Sequence, residues 1–189
     1  MTTSDQPRDE RFLQLVYRLP TGTSRARVAV WRELKRLGAL YLQQAVCVVP
    51  DRPGVRERLE KIRARLDELG GEGLIFVLTD IEERERKVIV DALRENSAKE
   101  YAEIVEECET KFFKEIEFER FRENYTFEEA EEIRQDLEKL RRWLRKVEER
   151  DWMGAPGRQD AHAKVAECEQ LLEQFEADVY ERAQEQTPP

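Results

Sequence analysis

The chain has 189 residues, 40% of them hydrophobic and 40% charged, and its formal net charge is -9. This length suits one large domain or two small ones, and no apolar run approaches the roughly 18 residues of a membrane-spanning helix. The first residues lack the apolar core of a signal peptide. The three cysteines are far apart and form no C-x-x-C pair. We therefore expect a cytoplasmic protein that has no disulfide framework and no zinc site.

The first third of the chain alternates between strand and helix patterns. The compact apolar run at 12–18 predicts a buried strand. Ser24 is predicted to be the N-cap of a helix that runs through Leu37 and stops at Gly38. Val30, Leu34 and Leu37 share its apolar face. The segments ALYLQ and AVCVVP then predict two strands, or one bent hairpin with its turn near the two glutamines.

A second helix and a further strand complete this part of the chain. Asp51 and Pro53 are predicted to open the helix, with Pro53 near its first turn, and Gly70 and Gly71 end it. The run GLIFVLTD is the clearest strand in the sequence. The order β-α-β-β-α-β is the ferredoxin-like pattern, in which two helices cover one face of an antiparallel sheet. We therefore predict an α+β domain over residues 1–80.

Residues 81–189 predict an antiparallel helical bundle. No Gly or Pro occurs from Ile81 to Asn124, which predicts one long helix, with a possible interruption at 95–100. Thr126 and Glu129 form a capping box for the next helix. Two heptad seams follow on either side of the break at 154–157; they comprise Ala130, Ile133, Leu137, Leu140, Leu144 and Val147, and then Ala161, Val165, Cys168, Leu172, Phe175 and Val179.

The sequence offers little for catalysis or for a cofactor. The single histidine, His162, has no cysteine or carboxylate at a distinctive metal-ligand spacing, and it is interpreted as a solvated surface residue. There is no Gly-rich phosphate loop and no G-x-S-x-G element. The many glutamates mostly pair with Lys or Arg at helical spacing, which is typical of a solvated face. We expect no enzyme activity, no cofactor and no metal site.

The most basic stretch is 18–36, which has six basic residues against Glu33 alone. Its first two helical arginines oppose the helix dipole, which favours an anion at that end. One interpretation is that a phosphate, oxyanion or carboxylate binds there; the other is that the arginines pair with the acidic C-terminal helices. We expect Trp31 to lie in the core and Trp152 to anchor a turn. The candidate binding residues are Arg18, Ser24, Arg25, Arg27, Arg32, Lys35 and Arg36.

These motifs carry a resemblance over about residues 12–183. The segments YRLP, SRARVAVWRELKRLGALYLQQAVCVVP and KLRRWLRKVEERDWMGAPGR resemble the N-terminal domain of the chromate-resistance regulator family, the ChrB type. The front part is also similar to the ferredoxin-like module of PaaX-type repressors and of Cas2 proteins. That fold hosts several activities and does not fix one. Larger members of the ChrB family carry a further C-terminal domain that is associated with chromate.

The resemblance implies a transcriptional regulator that binds the DNA phosphate backbone and is linked to chromate resistance. It also implies an oxyanion such as chromate as an effector. Nucleases of the Cas2 type carry an aspartate at the end of the first strand, where this chain has Arg18. We therefore expect no metal-dependent cleavage. A homodimer is expected, through sheet edges or heptad stripes. The alternative hypothesis is a non-enzymatic interaction scaffold that uses the heptad helices.

Overall fold

The computed structural model describes residues 11–20 and 24–185. The chain divides into two compact units, residues 1–93 and 94–189. The domain boundary near residue 80 stays a prediction. The elements in chain order are β1 (Phe12–Arg18), α1 (Ser24–Arg36), β2 (Leu40–Gln43), β3 (Val46–Pro50), α2 (Val55–Glu68), β4 (Glu72–Leu78), α3 (Glu83–Glu107), a π-helical turn (Cys108–Phe112), α4 (Phe113–Phe121), α5 (Phe127–Glu148) and α6 (Arg158–Glu185).

The first unit is built on a four-stranded antiparallel sheet with strand order β2-β3-β1-β4. The central strand β1 pairs with both neighbours, so Leu15 lies opposite Cys47 in β3 and opposite Ile75 in β4. The strands β2 and β3 form the hairpin that the sequence allowed, with its turn at residues 44–45. The predicted β-α-β-β-α-β order and the α+β fold class are confirmed.

The helix α2 packs closely on the sheet. A Cβ atom at Gly73 of β4 would lie 3.1 Å from both Arg63 Cγ and Leu66 Cδ1 of α2, so a larger residue there would push strand and helix apart. The buried side of α1 carries Val30 and Leu34. These two helices use the apolar stripes that the sequence shows, and each exposes its polar side.

The starts and ends of these helices differ in detail from the predictions. Gly38 ends α1 with φ of 76°, as its position predicted, because glycine enters the left-handed region without a steric penalty. The prediction that Pro53 opens α2 was wrong by two residues, about half a turn. Gly54, with φ of 77°, is the N-cap and the helix begins at Val55. Asp51 accepts a hydrogen bond from Arg56 at 2.9 Å instead of capping the helix.

The long third helix is interrupted, but not where the sequence suggested. Residues 95–100 are regular α-helix, whereas residues 108–112 form a π-helical turn. Ile104, Cys108, Phe112 and Ile116 are all buried and follow one another at spacings of four. In an α-helix, each spacing of four residues exceeds one full turn by about 40°. Three such spacings would therefore rotate Ile116 away from the core. The π turn has more residues per turn and returns this side chain to the core.

The second unit is a three-helix arrangement around one hydrophobic core. Every residue of the two predicted heptad seams in α5 and α6 is buried. Ion pairs join Arg134 to Glu176, and Arg141 to Glu169. Residue numbers rise along one helix as they fall along the other, so α5 and α6 are antiparallel. Thr126 caps α5 by accepting a hydrogen bond from the backbone N–H of Glu129 at 3.2 Å.

The loop between α5 and α6 explains the sequence RDWMGAPGR. Asp151 accepts hydrogen bonds from the backbone N–H of Ala155 at 2.9 Å and from the Tyr101 hydroxyl at 3.2 Å. Arg94 Nε donates to the Met153 carbonyl at 3.0 Å. The indole N–H of Trp152 is buried and has no hydrogen-bond partner among the described residues. The Trp152 side chain as a whole is half-buried, and the burial of its N–H is consistent with the predicted role of Trp152 as an anchor of the turn.

Candidate nucleic-acid interface

The predicted binding residues lie at the end of β1 and along α1. Ser24 is the first residue of α1 rather than the capping residue before it, since the helix begins at this position. Residues 21–23, which include the capping position, lie outside the described residues. The first turn of α1 contains no acidic side chain. The helix dipole at this end is therefore not offset by a carboxylate from the helix itself.

Three arginines form what we call the outer row of α1: Arg25, Arg32 and Arg36. They are separated by seven and four residues, which places them on one side of the helix. All three are exposed, and none forms an ion pair with the described residues of the first unit. Glu33, the one acidic residue of α1, is bonded to Arg65 of α2. The outer row thus presents three positive charges without local compensation.

The other three basic candidates have partners. Arg18 donates to Glu72 at 2.8 Å, and the hydrogen bond and charge of this carboxylate raise the pKa of the guanidinium. Arg27 donates to the Pro20 carbonyl at 3.2 Å. Lys35 Nζ lies 5.4 Å from the centroid of the Trp31 ring. A cation this close to an indole face is attracted by the ring quadrupole.

The prediction that Trp31 lies in the core was wrong. This side chain is 45% exposed and Val28 is 44% exposed. The apolar face of α1 that packs inward is centred between Val30 and Leu34, and Trp31 lies one residue outside it. Arg27, Trp31 and Lys35 are spaced by four residues, so the indole lies between two cations on the exposed surface.

Trp31 lines an open cleft in the first unit, which we call the α1 cleft. Its volume is about 740 Å³. The end of β1 supplies one wall, α1 a second and the β2–β3 hairpin a third. The lining residues are Tyr17, Arg18, Leu19, Arg27, Trp31, Tyr41, Gln43, Gln44 and Ala45.

Two tyrosines connect the strands in this cleft. The hydroxyls of Tyr17 and Tyr41 are 3.2 Å apart. Burial raises the pKa of Tyr41 well above its usual range, and the hydrogen bond with Tyr17 raises it further. The Tyr41 hydroxyl is therefore uncharged at neutral pH and can donate or accept a hydrogen bond.

The sequence-based predictions did not include the tyrosines or glutamines of the cleft. In the sequence, Tyr17 and Tyr41 read as ordinary strand residues, and Gln43 and Gln44 as turn residues. Only the strand pairing brings the two tyrosines together across 24 residues of chain. A usable signal existed in the spacing of four residues that places Trp31 between Arg27 and Lys35 along α1.

A carboxylate cluster in the second unit was not predicted. Glu115, Glu119 and Glu129 have oxygen atoms within 4.8 Å of one another, which could hold a hard cation. Glu119 is already hydrogen-bonded to Asn124 at 2.5 Å and to Arg122 at 3.4 Å. Burial and then the charge of Glu119 raise the pKa of Glu129. The expected absence of a catalytic metal site stays a prediction.

His162 is more than half exposed, at 53% of its side chain. Its Nε2 lies 2.7 Å from Glu148, which also accepts a hydrogen bond from Arg158 at 2.8 Å. This carboxylate is fourteen residues away in the sequence. The structure thus confirms the surface position of His162.

The described residues contain no helix that is long and apolar enough to cross a membrane.

A family model described as "Protein ChrB, N-terminal" matches residues 27–186. This range contains Arg27, Arg32, Lys35 and Arg36, while Arg18, Ser24 and Arg25 precede it. The curated Protein ChrB of Cupriavidus metallidurans is 33% identical over 97 residues, which are 49% of this chain and 28% of that protein. The match thus spans less than a third of this relative, and no solved structure matches the chain. From the family match, which covers most of its length, the chain belongs to the ChrB N-terminal family.

Proposed function

We propose that this protein is a DNA-binding regulator that takes part in chromate resistance, and that the outer row of α1 binds the DNA phosphate backbone. The observation that carries the proposal is a set of three exposed arginines on one side of one helix, with no ion-pair partner among the residues of the first unit that the structure describes. Guanidinium groups match phosphate geometry and stay charged at every relevant pH. Membership of the ChrB family supports the link to chromate resistance.

The size of the outer row suits a nucleic-acid backbone. With a rise of about 1.5 Å per residue, Arg25 and Arg36 are about 16 Å apart along the helix axis. Each DNA strand carries one charge per about 3.4 Å along the duplex axis, so the row can meet several phosphates. The whole chain has a net charge of -9. An acidic protein with one positive face would bind DNA in a restricted orientation, since its remaining surface is repelled.

The test is the salt dependence of binding to a duplex taken from the promoter of its own operon. The double variant R25E/R32E should weaken binding by at least tenfold at low salt. It should also lower the slope of log affinity against log salt by about two, since each phosphate contact contributes about 0.9. The control is K114E/R145E, which changes the net charge equally at two exposed positions of the second unit. Equal weakening by both variants would contradict the proposal.

Chromate is tested separately. Chromate added to the same titration should change the DNA affinity if the oxyanion acts on this chain. Loss of the gene should make cells more sensitive to chromate if the family link holds. An unchanged chromate tolerance would remove the chromate part of the proposal and leave DNA binding to be judged on the salt titration.

The alternative function is an interaction scaffold, and one observation favours it. Large apolar side chains are exposed near the α4–α5 connection, where Phe121 is 85% exposed, Phe127 is 63% exposed and Phe118 is 52% exposed. Such a group would suit a protein partner or a second copy of the chain. Sedimentation at micromolar concentration tests the second copy, since a monomer that binds DNA with a steep salt dependence would reject the homodimer and favour DNA binding over the scaffold.

A further inference from the structure

We propose that the α1 cleft holds one unpaired nucleotide, with its base stacked on Trp31 and its phosphate bound by Arg18 and Arg27. This inference rests on the proposed DNA binding and adds a substrate class to it. Duplex DNA would lie on the outer row, while a base that has left the stack would enter the cleft. The cleft differs from the outer row because its cations stand beside aromatic rings.

The position of Trp31 is the first argument. The indole of Trp31 is 45% exposed, so a ligand that covers this apolar surface would gain free energy by removing it from water. Arg27 and Lys35 flank it at helical spacing, and Lys35 already lies 5.4 Å from the ring centroid. Proteins that hold single-stranded nucleic acid combine a positive groove with aromatic rings on which bases stack. This pattern occurs here within one helix.

The two arginines of the cleft are each held by a hydrogen bond within the protein and keep further N–H donors for a ligand. Arg18 donates one hydrogen bond to Glu72, and Arg27 donates one to the Pro20 carbonyl. A guanidinium has five N–H donors, so each side chain keeps donors for a ligand. Fixing an arginine by one bond reduces the entropy that it loses when a phosphate binds. Both residues line the same cleft as Trp31.

The rest of the lining suits a base rather than a small inorganic anion. Gln43 and Gln44 offer amide donors and acceptors of the kind that hydrogen-bond to base edges. The Tyr17 and Tyr41 rings add apolar surface, and their hydroxyls add polar ends. The volume of about 740 Å³ falls within the usual range of about 300–1,000 Å³ for organic ligands. A tetrahedral oxyanion would leave the aromatic surface uncovered.

The experiment compares two DNA duplexes of the same sequence, one fully paired and one with a single unpaired thymidine. The unpaired base can enter a pocket at a small unstacking cost. Fluorescence anisotropy should show that the protein binds the bulged duplex about tenfold more tightly, given the usual strength of base–aromatic stacking. W31A should abolish the preference and W31F should retain part of it. The matched control V28A removes an equally exposed apolar group outside the cleft and should keep the preference.

The two proposals fail in different ways. R25E/R32E should weaken binding to both duplexes and keep their affinity ratio, since the outer row meets only the backbone. If the parent protein binds neither duplex, the cleft is tested alone by titrating a thymidine trinucleotide in low salt, where W31A should remove the binding. Equal binding of both duplexes by the parent would overturn the cleft proposal. A W31A variant that keeps the preference, with its circular dichroism unchanged, would overturn it too.

Discussion

The exposed face of α1 and the three-helix unit use charge in opposite ways. In the second unit, basic side chains meet carboxylates of neighbouring helices, as Arg120 meets Asp178 at 3.3 Å and Lys164 meets Glu109 at 3.1 Å. On α1, the outer row has no such partner among the described residues of its unit. Charges that are already paired help to hold helices in register, whereas unpaired ones remain available to a ligand. This contrast is why we place the DNA interface on α1.

The largest expected effect concerns the core of the three-helix unit. Phe175 is fully buried, and its ring stacks on Tyr125 with the centroids 5.5 Å apart. F175A should lower the free energy of unfolding by about 3–5 kcal/mol, because it removes transfer energy and leaves a cavity. The control F127A, in the same unit but 63% exposed, should cost under about 1 kcal/mol. Urea denaturation measures both, and similar losses would contradict the assigned core.

The second effect concerns the loop between α5 and α6. D151A removes the acceptor for the backbone N–H of Ala155 and for the Tyr101 hydroxyl. Leaving buried donors without a partner costs about 1–3 kcal/mol, so the variant should lose stability in that range. The control D136A removes an exposed carboxylate whose one ion pair within the described part of the chain is with Lys139, and its midpoint in urea should barely move. A stable D151A would show that the loop does not depend on this aspartate.

The buried seams of α5 and α6 were predictable from the sequence, whereas the π-helical turn was not predicted. The heptad spacing identified every buried residue of α5 and α6. A helix whose other faces are polar can bury only its apolar stripe. The π-helical turn was missed, although three successive spacings of four from Ile104 to Ile116 were visible in the sequence. The interruption was predicted at 95–100 instead, where the helix is regular.

The candidate site was predictable in part. The basic residues of α1 can be read directly from the sequence, and the amphipathic pattern of the helix predicts that they are exposed. The position of Trp31 depends on where the apolar face is centred, and a shift of one residue, about 100°, moved it from the core to the surface. The tyrosines could not be assigned, because their contact needs the pairing of β1 with β3 and of β3 with β2.

The third effect is a pH dependence in the second unit. Burial alone would raise the pKa of Glu148, but hydrogen bonds from His162 and Arg158 outweigh it and hold the pKa below the usual value. A carboxyl with a lowered folded-state pKa stabilises the protein above its unfolded pKa of about 4.3, and this contribution is lost as the pH falls through the lower folded value. E148Q should therefore cost about 1 kcal/mol at pH 7 and less below pH 4, by urea denaturation. A constant difference would contradict this.

The smallest expected effect tests the contrast between the outer row of α1 and the paired charges of the second unit. Arg32 has no ion-pair partner among the described residues of its unit, so R32A should change the free energy of unfolding by less than about 0.5 kcal/mol. Arg134 forms an ion pair with Glu176 at 2.5 Å between α5 and α6. R134A should cost up to about 1 kcal/mol, and 1 M salt should reduce this cost because the pair is partly solvated. For DNA binding the order should reverse, since R32A removes a phosphate contact and R134A removes none. A destabilised R32A would mean that the outer row is structural, and the DNA interface would then lose its main support.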